Sequence, residues 1–191
     1  VGNYATLNPL DLGGTGCTLS NGNLEYSNAS GNTGTSKSTI AMTSGKWYCE
    51  CVPTLNGDIS LPGILNKSNG DSYTYYAFTG NSFYVPGSGG LSQAAYGASY
   101  SNNDVVGIAY DADSGDLTFY KNGTSQGVIS TGFGGDLVVY YFSDGSSNAL
   151  VEGTVNFGQR PFAYAAPSGY KALCTANLST PTIEDGSDYF D

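Results

Sequence analysis

A chain of 191 residues has room for one domain with a sizeable core. Sixteen acidic side chains against six basic ones give a formal charge of −10, leaving no clustered Lys and Arg for nucleic-acid phosphates. There is no histidine, the commonest catalytic base and metal ligand, and no run of about 18 apolar residues that would insert in a membrane. With 28 Gly, 16 Tyr and 12% charged residues the composition describes a turn-rich all-β protein.

Residues 1–16 lack periodicity and carry Asn8-Pro9 and Gly13-Gly14, so they read as an extended arm, ordered by clasping a neighbouring copy. Asn21-Gly22 between residues 18–20 and 23–26 is a strong hairpin signal, because both turn positions favour φ > 0. Residues 28–38 read as polar loop, and 39–42 and 46–52 as strands. Alternation in the latter sets Trp47, Cys49 and Cys51 on one face and Tyr48, Glu50 and Val52 on the other.

Further strands are expected at 58–65, 72–78 and 81–85, and residues 92–101 favour no element. In the next hairpin Val106, Ile108 and Tyr110 share one face, as do Leu117 and Phe119 on the returning strand. Asn122-Gly123 turns into 127–130, and 136–142 and 150–157 supply late strands. Residues 168–174, with Pro167 ahead of a Ser168 cap, form the one helix candidate. Ten to thirteen short strands with turn signals predict an antiparallel two-sheet β-sandwich, with Trp47, Ile108, Leu117, Phe119, Val155 and Phe157 buried. The expected organisation is an arm at 1–16, a sandwich at 17–166 and a C-terminal extension at 167–191, where Glu184, Asp185, Asp188 and Asp191 read as a solvated tail. Opening on Val1, the chain is expected to be a processed product or one module of a longer polypeptide.

Catalytic and metal constellations are absent from the pattern. Cys49 and Cys51 share a strand face at the edge of disulfide reach, and with Cys17 and Cys174 they lack paired zinc spacing. They read as small buried hydrophobes, with cross-links between distant pairs as the alternative. The Asp111–Asp116 stretch begins like a calcium loop but has Asp116 where glycine is needed and Asn122 where a bidentate Glu is needed, so it reads as a hairpin turn. Glu25, Glu50, Asp58 and Glu152 are the carboxylates available to glycoside hydrolysis, yet no motif ties two together and no activated nucleophile accompanies them. We therefore expect no enzyme, no metal and no cofactor. Recognition character rests in tyrosines, which join a flat apolar face to a hydroxyl. The expected surface comprises Tyr73, Tyr75, Tyr76, Tyr84, Tyr96 and Tyr100, with the remaining packing role falling to the sandwich interior.

Three segments, in order, carry a resemblance. SGKWYCEC at residues 44–51 looks like a strand of the form SGKWYWEV with Cys49 in place of a second Trp. DVVGIAYDADSGDLTFYKNG at 104–123 reads as strand, turn and strand, and VNFG at 155–158 ends a later strand. Together they resemble the SPRY family, which implies a concanavalin-like β-sandwich that binds partners through variable loops. NYATLNPLD (3–11), TLSNGNL (18–24) and NFGQRPFAYAAPSGYKALCTANLSTPTI (156–183) are similar to the SPRY subgroup found in tailed-phage genomes. That resemblance implies a non-enzymatic structural or display protein on the virion surface, assembled in the host cytoplasm, in a tail fibre, receptor-binding element or capsid decoration. Its partners would be other virion subunits or further copies of itself, and a host-surface glycan or protein. The alternatives are a secreted carbohydrate-binding module and a subunit of an extracellular filament.

Overall fold

A computed structural model describes residues 2–28, 34–55, 60–77, 79–144 and 151–179. Two sheets face each other. Numbered along the chain, the first runs β1 (Gly13–Gly14), β4 (Gly34–Lys37), β13 (Val138–Asp144), β6 (Ser60–Asn66), β7 (Ser72–Tyr75), β8 (Asn81–Val85) and β9 (Ser92–Ala95). The second runs β12 (Thr124–Ser130), β11 (Asp116–Lys121), β10 (Val106–Asp111), β5 (Lys46–Leu55), β14 (Val151–Asn156), β3 (Glu25–Asn28) and β2 (Cys17–Ser20). All these pairings are antiparallel. β15 (Lys171–Ala172) adds to β5 in parallel at Trp47 and Tyr48, just beyond the stretch that β14 occupies.

The period-2 pattern decides which side chains meet between the sheets. Trp47, Cys49 and Cys51 of β5, Val106, Ile108 and Tyr110 of β10, Leu117 and Phe119 of β11, and Val155 and Phe157 are all buried. Opposite them Ile64, Tyr75, Tyr140 and Phe142 close the core, with Tyr75 stacked on Phe119 at 5.2 Å and Tyr26 on Phe142 at 5.6 Å. The other face of β5 is covered too. There Tyr48 meets Phe162 edge-on at 4.9 Å, and a Cβ on Gly107 would come within 2.4 Å of the Tyr48 hydroxyl, so that position keeps room for the ring.

Several expectations change. Residues 2–8 belong to this chain's own core: Ala5 and Leu7 are fully buried, Ala5 N–H donates to Leu173 O at 2.8 Å and Leu7 N–H to Asn23 O at 2.9 Å. Asp11 then anchors the segment through ion pairs to Lys37, at 2.8 Å, and to Lys67. The arm thus needs no neighbour to be ordered. Strand β4 lies inside the stretch read as polar loop, because Thr35, Ser36 and Lys37 pair with Ser143, Phe142 and Tyr141 whatever their polarity. Residues 39–42 form no strand beyond the Met42–Val138 bridge. The helix candidate at 168–174 is replaced by β15, followed by a 3-10 turn at Thr175–Asn177, the only helical element among the described residues. Asn21 and Gly22 do take positive φ, 49° and 66°, but Asn23 follows at 62° and lengthens the turn, so β3 begins at Glu25. Fifteen strands are present among the described residues, two more than the expected upper count, the excess lying in two-residue pieces.

Candidate functional site

Several carboxylates that could do chemistry are holding the chain's own backbone. Glu50, largely buried on the covered face of β5, accepts from Ala163 N–H at 2.7 Å, Tyr164 N–H at 2.9 Å and the Tyr48 hydroxyl at 3.3 Å. Asp111 pairs with Lys46 at 2.8 Å and accepts from Asp113 N–H, while Asp113 accepts from Gly45 N–H. The loop at 111–116 is therefore a turn in which Asp111 accepts from the loop's own amides and Asp113 ties it to Gly45. Asp104 accepts from Asn122 at 2.6 Å and from Ser101 N–H at 2.9 Å, and pairs with Lys121. Burial works to raise the pKa of Asp111, but Lys46 and the two turn amides outweigh it and hold the carboxyl below its ordinary value. Among the described residues no group of three or more Cys, Asp or Glu side chains is gathered to hold a metal ion.

The four thiols are free. Burial pushes Cys51 up to about 12 and Cys49 well above its ordinary value, so both remain protonated and unreactive inside the core. Of the hydrolysis candidates, Glu25 and Glu152 line one trough of about 300 Å³ on the outer face of β3, β14 and β5. Glu25 accepts from Ser20 and Asn21, and Glu152 from Ser27. Glu50 lines a neighbouring hollow beside Arg160, and Asp58 lies outside the described residues.

The tyrosines expected to form one surface divide. Tyr75 and Tyr100 are core residues, 0% and 3% exposed. The Tyr100 hydroxyl donates to Ser60 O and Tyr75 O, and that of Tyr75 to Ala98 O. Tyr76 meets Phe83 at 5.1 Å on the side of β8 opposite Tyr84, since successive residues alternate. Only Tyr73, Tyr84 and Tyr96 converge. They line a groove of about 370 Å³ between the β8–β9 edge of one sheet and the β12 edge of the other.

Tyr73 and Tyr84 are cross-strand partners with ring centroids 4.8 Å apart. The Tyr84 hydroxyl donates to Asp71 at 2.8 Å, which fixes the ring at the rim. Tyr96 has a second task. The β11–β12 register shifts between Thr118 and Tyr120, and the Phe119 N–H at that irregularity donates to the Tyr96 hydroxyl at 3.0 Å, which itself donates to Gly127 O at 2.5 Å. Ala94, Ala95, Val128 and Ile129 complete an apolar lining, and Ser82 and Ser92 add hydroxyls. Sequence reasoning missed Val128 and Ile129, because their strand meets the tyrosines only through the closing of two sheet edges.

A model of the SPRY domain matches residues 34–160. The chain belongs to the SPRY family. The signature hairpin at 104–123 forms β10 and β11 of the second sheet, and VNFG closes β14 on the far side of β5 from them. Among curated relatives, a probable ATP-dependent RNA helicase of Dictyostelium discoideum is 29% identical over 74% of this chain, and a dual specificity protein kinase of the same organism 32% identical over 71%. An E3 ubiquitin-protein ligase of Arabidopsis thaliana is 28% identical over 72%. The chain spans only 18%, 6% and 11% of those three proteins. Among solved structures, the SPRY domain of human HERC1 superposes with a TM-score of 0.67 at 17% identity, covering 81% of this chain and 99% of that one. The TRIM65 PSpry domain follows at 0.57 and 12% identity, over 81% of this chain and 90% of that one. At these identities the likeness carries the fold alone.

Proposed function

We propose that this SPRY domain is a non-enzymatic recognition module that binds its partner in the groove between β8–β9 and β12. The observation that carries this reading is the contrast between two kinds of side chain. The carboxylates of Glu50, Asp104 and Asp111 are engaged by backbone amides and lysines, whereas Tyr73, Tyr84, Val128 and Ala94 face an open concavity. The curated relatives are far longer proteins of dissimilar named activities, which suits a module used for binding rather than for one chemistry.

The setting we propose is the surface of a phage virion, in a tail fibre, receptor-binding element or capsid decoration. Its support is the resemblance of residues 3–11, 18–24 and 156–183 to phage SPRY proteins. The clasping arm adds nothing to it, since residues 2–8 fold on their own core. A groove complete within one chain also favours a second reading, a free carbohydrate-binding module. Mass spectrometry of purified particles separates the two. On the virion reading the chain is present in stoichiometric copies, and particles carrying Ala94→Arg, at an exposed position of β9, adsorb to host cells at least tenfold less while the domain melts as before. Unchanged adsorption removes the groove from the reading, and absence from particles removes the virion.

A further inference from the structure

We infer that the groove between β9 and β12 binds a neutral saccharide, a step that rests on reading this groove as the recognition site. Three observations converge. No residue lining it is charged, although the chain as a whole carries −10. An anionic ligand group would have to leave water for an apolar concavity without a counter-charge, and the uncompensated desolvation works against it. The nearest rim carboxylate, Asp71, accepts from the Tyr84 hydroxyl, from Gly87 N–H at 2.8 Å and from Asn69 at 3.0 Å, all neutral donors, so its charge adds to the case against an anion and leaves a cation as the charged rival.

The remaining chemistry is two-sided. Tyrosine rings with Ala94 and Val128 supply flat apolar surface, while the hydroxyls of Tyr73, Ser82 and Ser92 make no hydrogen bond to any of the described residues. Each can both donate and accept. A hexopyranose has the matching character, an apolar C–H face and a ring of hydroxyls that exchange donor and acceptor roles. The volume, about 370 Å³, sits at the small end of the range for ligand sites, suited to a short stretch of sugar chain rather than a protein surface. A neutral extended peptide added to the β9 or β12 edge is the rival occupant, and it would bind through backbone groups rather than these hydroxyls.

The test is an NMR titration of the domain with maltohexaose, cellohexaose, laminarihexaose and mannohexaose, with oligogalacturonate, choline and an uncharged Thr/Val heptapeptide alongside. We expect at least one neutral oligosaccharide to shift the Tyr73, Tyr84 and Tyr96 ring signals at millimolar concentration. Replacing Ser82 or Ser92 by Ala should weaken that sugar roughly three- to tenfold each, the worth of one hydrogen bond. Ala94→Arg should abolish it, and Ala94→Ser should leave it. Silence from all four sugars, or equal or stronger shifts with oligogalacturonate, choline or the peptide, overturns the inference. If Ala94→Arg still abolishes host adsorption while the sugars are silent, the groove stands as the recognition site and only the saccharide falls. If that variant changes neither, both fall.

Discussion

The Tyr96 hydroxyl takes the place of a strand partner for Phe119 N–H and ties the β9 side of the groove to Gly127 on β12. Tyr96→Phe keeps the ring against Tyr75 and Phe119, at 5.6 and 5.9 Å, but leaves a half-buried N–H without an acceptor. We expect it to cost about 1–2 kcal/mol in urea melts, chiefly the desolvation of this donor, because the other bond lost, to Gly127 O, lies where water can replace it. A cost near zero would mean that water replaces the hydroxyl. Phe119→Ala tests the core itself. With Tyr75 and Tyr96 packed on a fully buried ring, the cavity should cost about 3–5 kcal/mol. The inward direction of Phe119 was legible in the Leu117–Phe119 alternation. The role of Tyr96 was not, because its partners lie 23 and 31 residues away at a ladder irregularity that leaves no local trace.

Elements were legible where local chemistry and partner agree. Residues 104–123 combine alternation with a turn rich in Asp and Gly, and Asn122-Gly123 adopts φ of 48° and 78° as that pair favours. Legibility failed where the partner decides. Gly34–Lys37 has no apolar alternation, yet it pairs on both sides with β1 and β13. Residues 2–8 escaped for a related reason: Ala5 and Leu7 flank Thr6 in a period too short to read, and the segment is held by single bridges at Tyr4–Cys174 and Leu7–Ser38. In the isolated chain the amides of Ala5 and Leu7 should therefore be protected from hydrogen exchange. Leu7→Ala should cost about 2–5 kcal/mol, as for other buried leucines. Fast exchange at both amides in a monomer would restore the clasping arm. The groove was half legible for the same reason: tyrosine content marked β7 and β8, and only the sheet order shows that β12 forms the opposite wall.

On the scale of the whole molecule, four of the six cations are committed to three aspartates: Lys37 and Lys67 to Asp11, Lys46 to Asp111, and Lys121 to Asp104. Burial raises each of these carboxyls, but lysine and hydrogen-bond partners prevail and their folded pKa values lie below the ordinary one. Such a group stabilises fully above its unfolded pKa, about 4, and that stability is lost as pH falls through the folded value. The alkaline side has the opposite sign. Burial foremost holds Tyr26, Tyr48, Tyr100, Tyr110 and Tyr140, with Cys49 and Cys51, above their ordinary values, so the unfolded chain releases these protons first. Their contribution is complete below the unfolded pKa values, about 8.5 for thiols and 10 for tyrosines, and is lost above them. Without histidine no side chain has an ordinary pKa in between. Urea midpoints measured from acid to alkali should therefore form a plateau from about pH 5 to about pH 8, with a loss on either side. Burial raises Cys17 too, so replacing Cys17, Cys49 and Cys51 together by Ala should lower the whole curve through lost packing while moving the alkaline onset up toward the tyrosine range. A step centred between about pH 6 and 7 would contradict this account, because no side chain in the sequence has an ordinary pKa there.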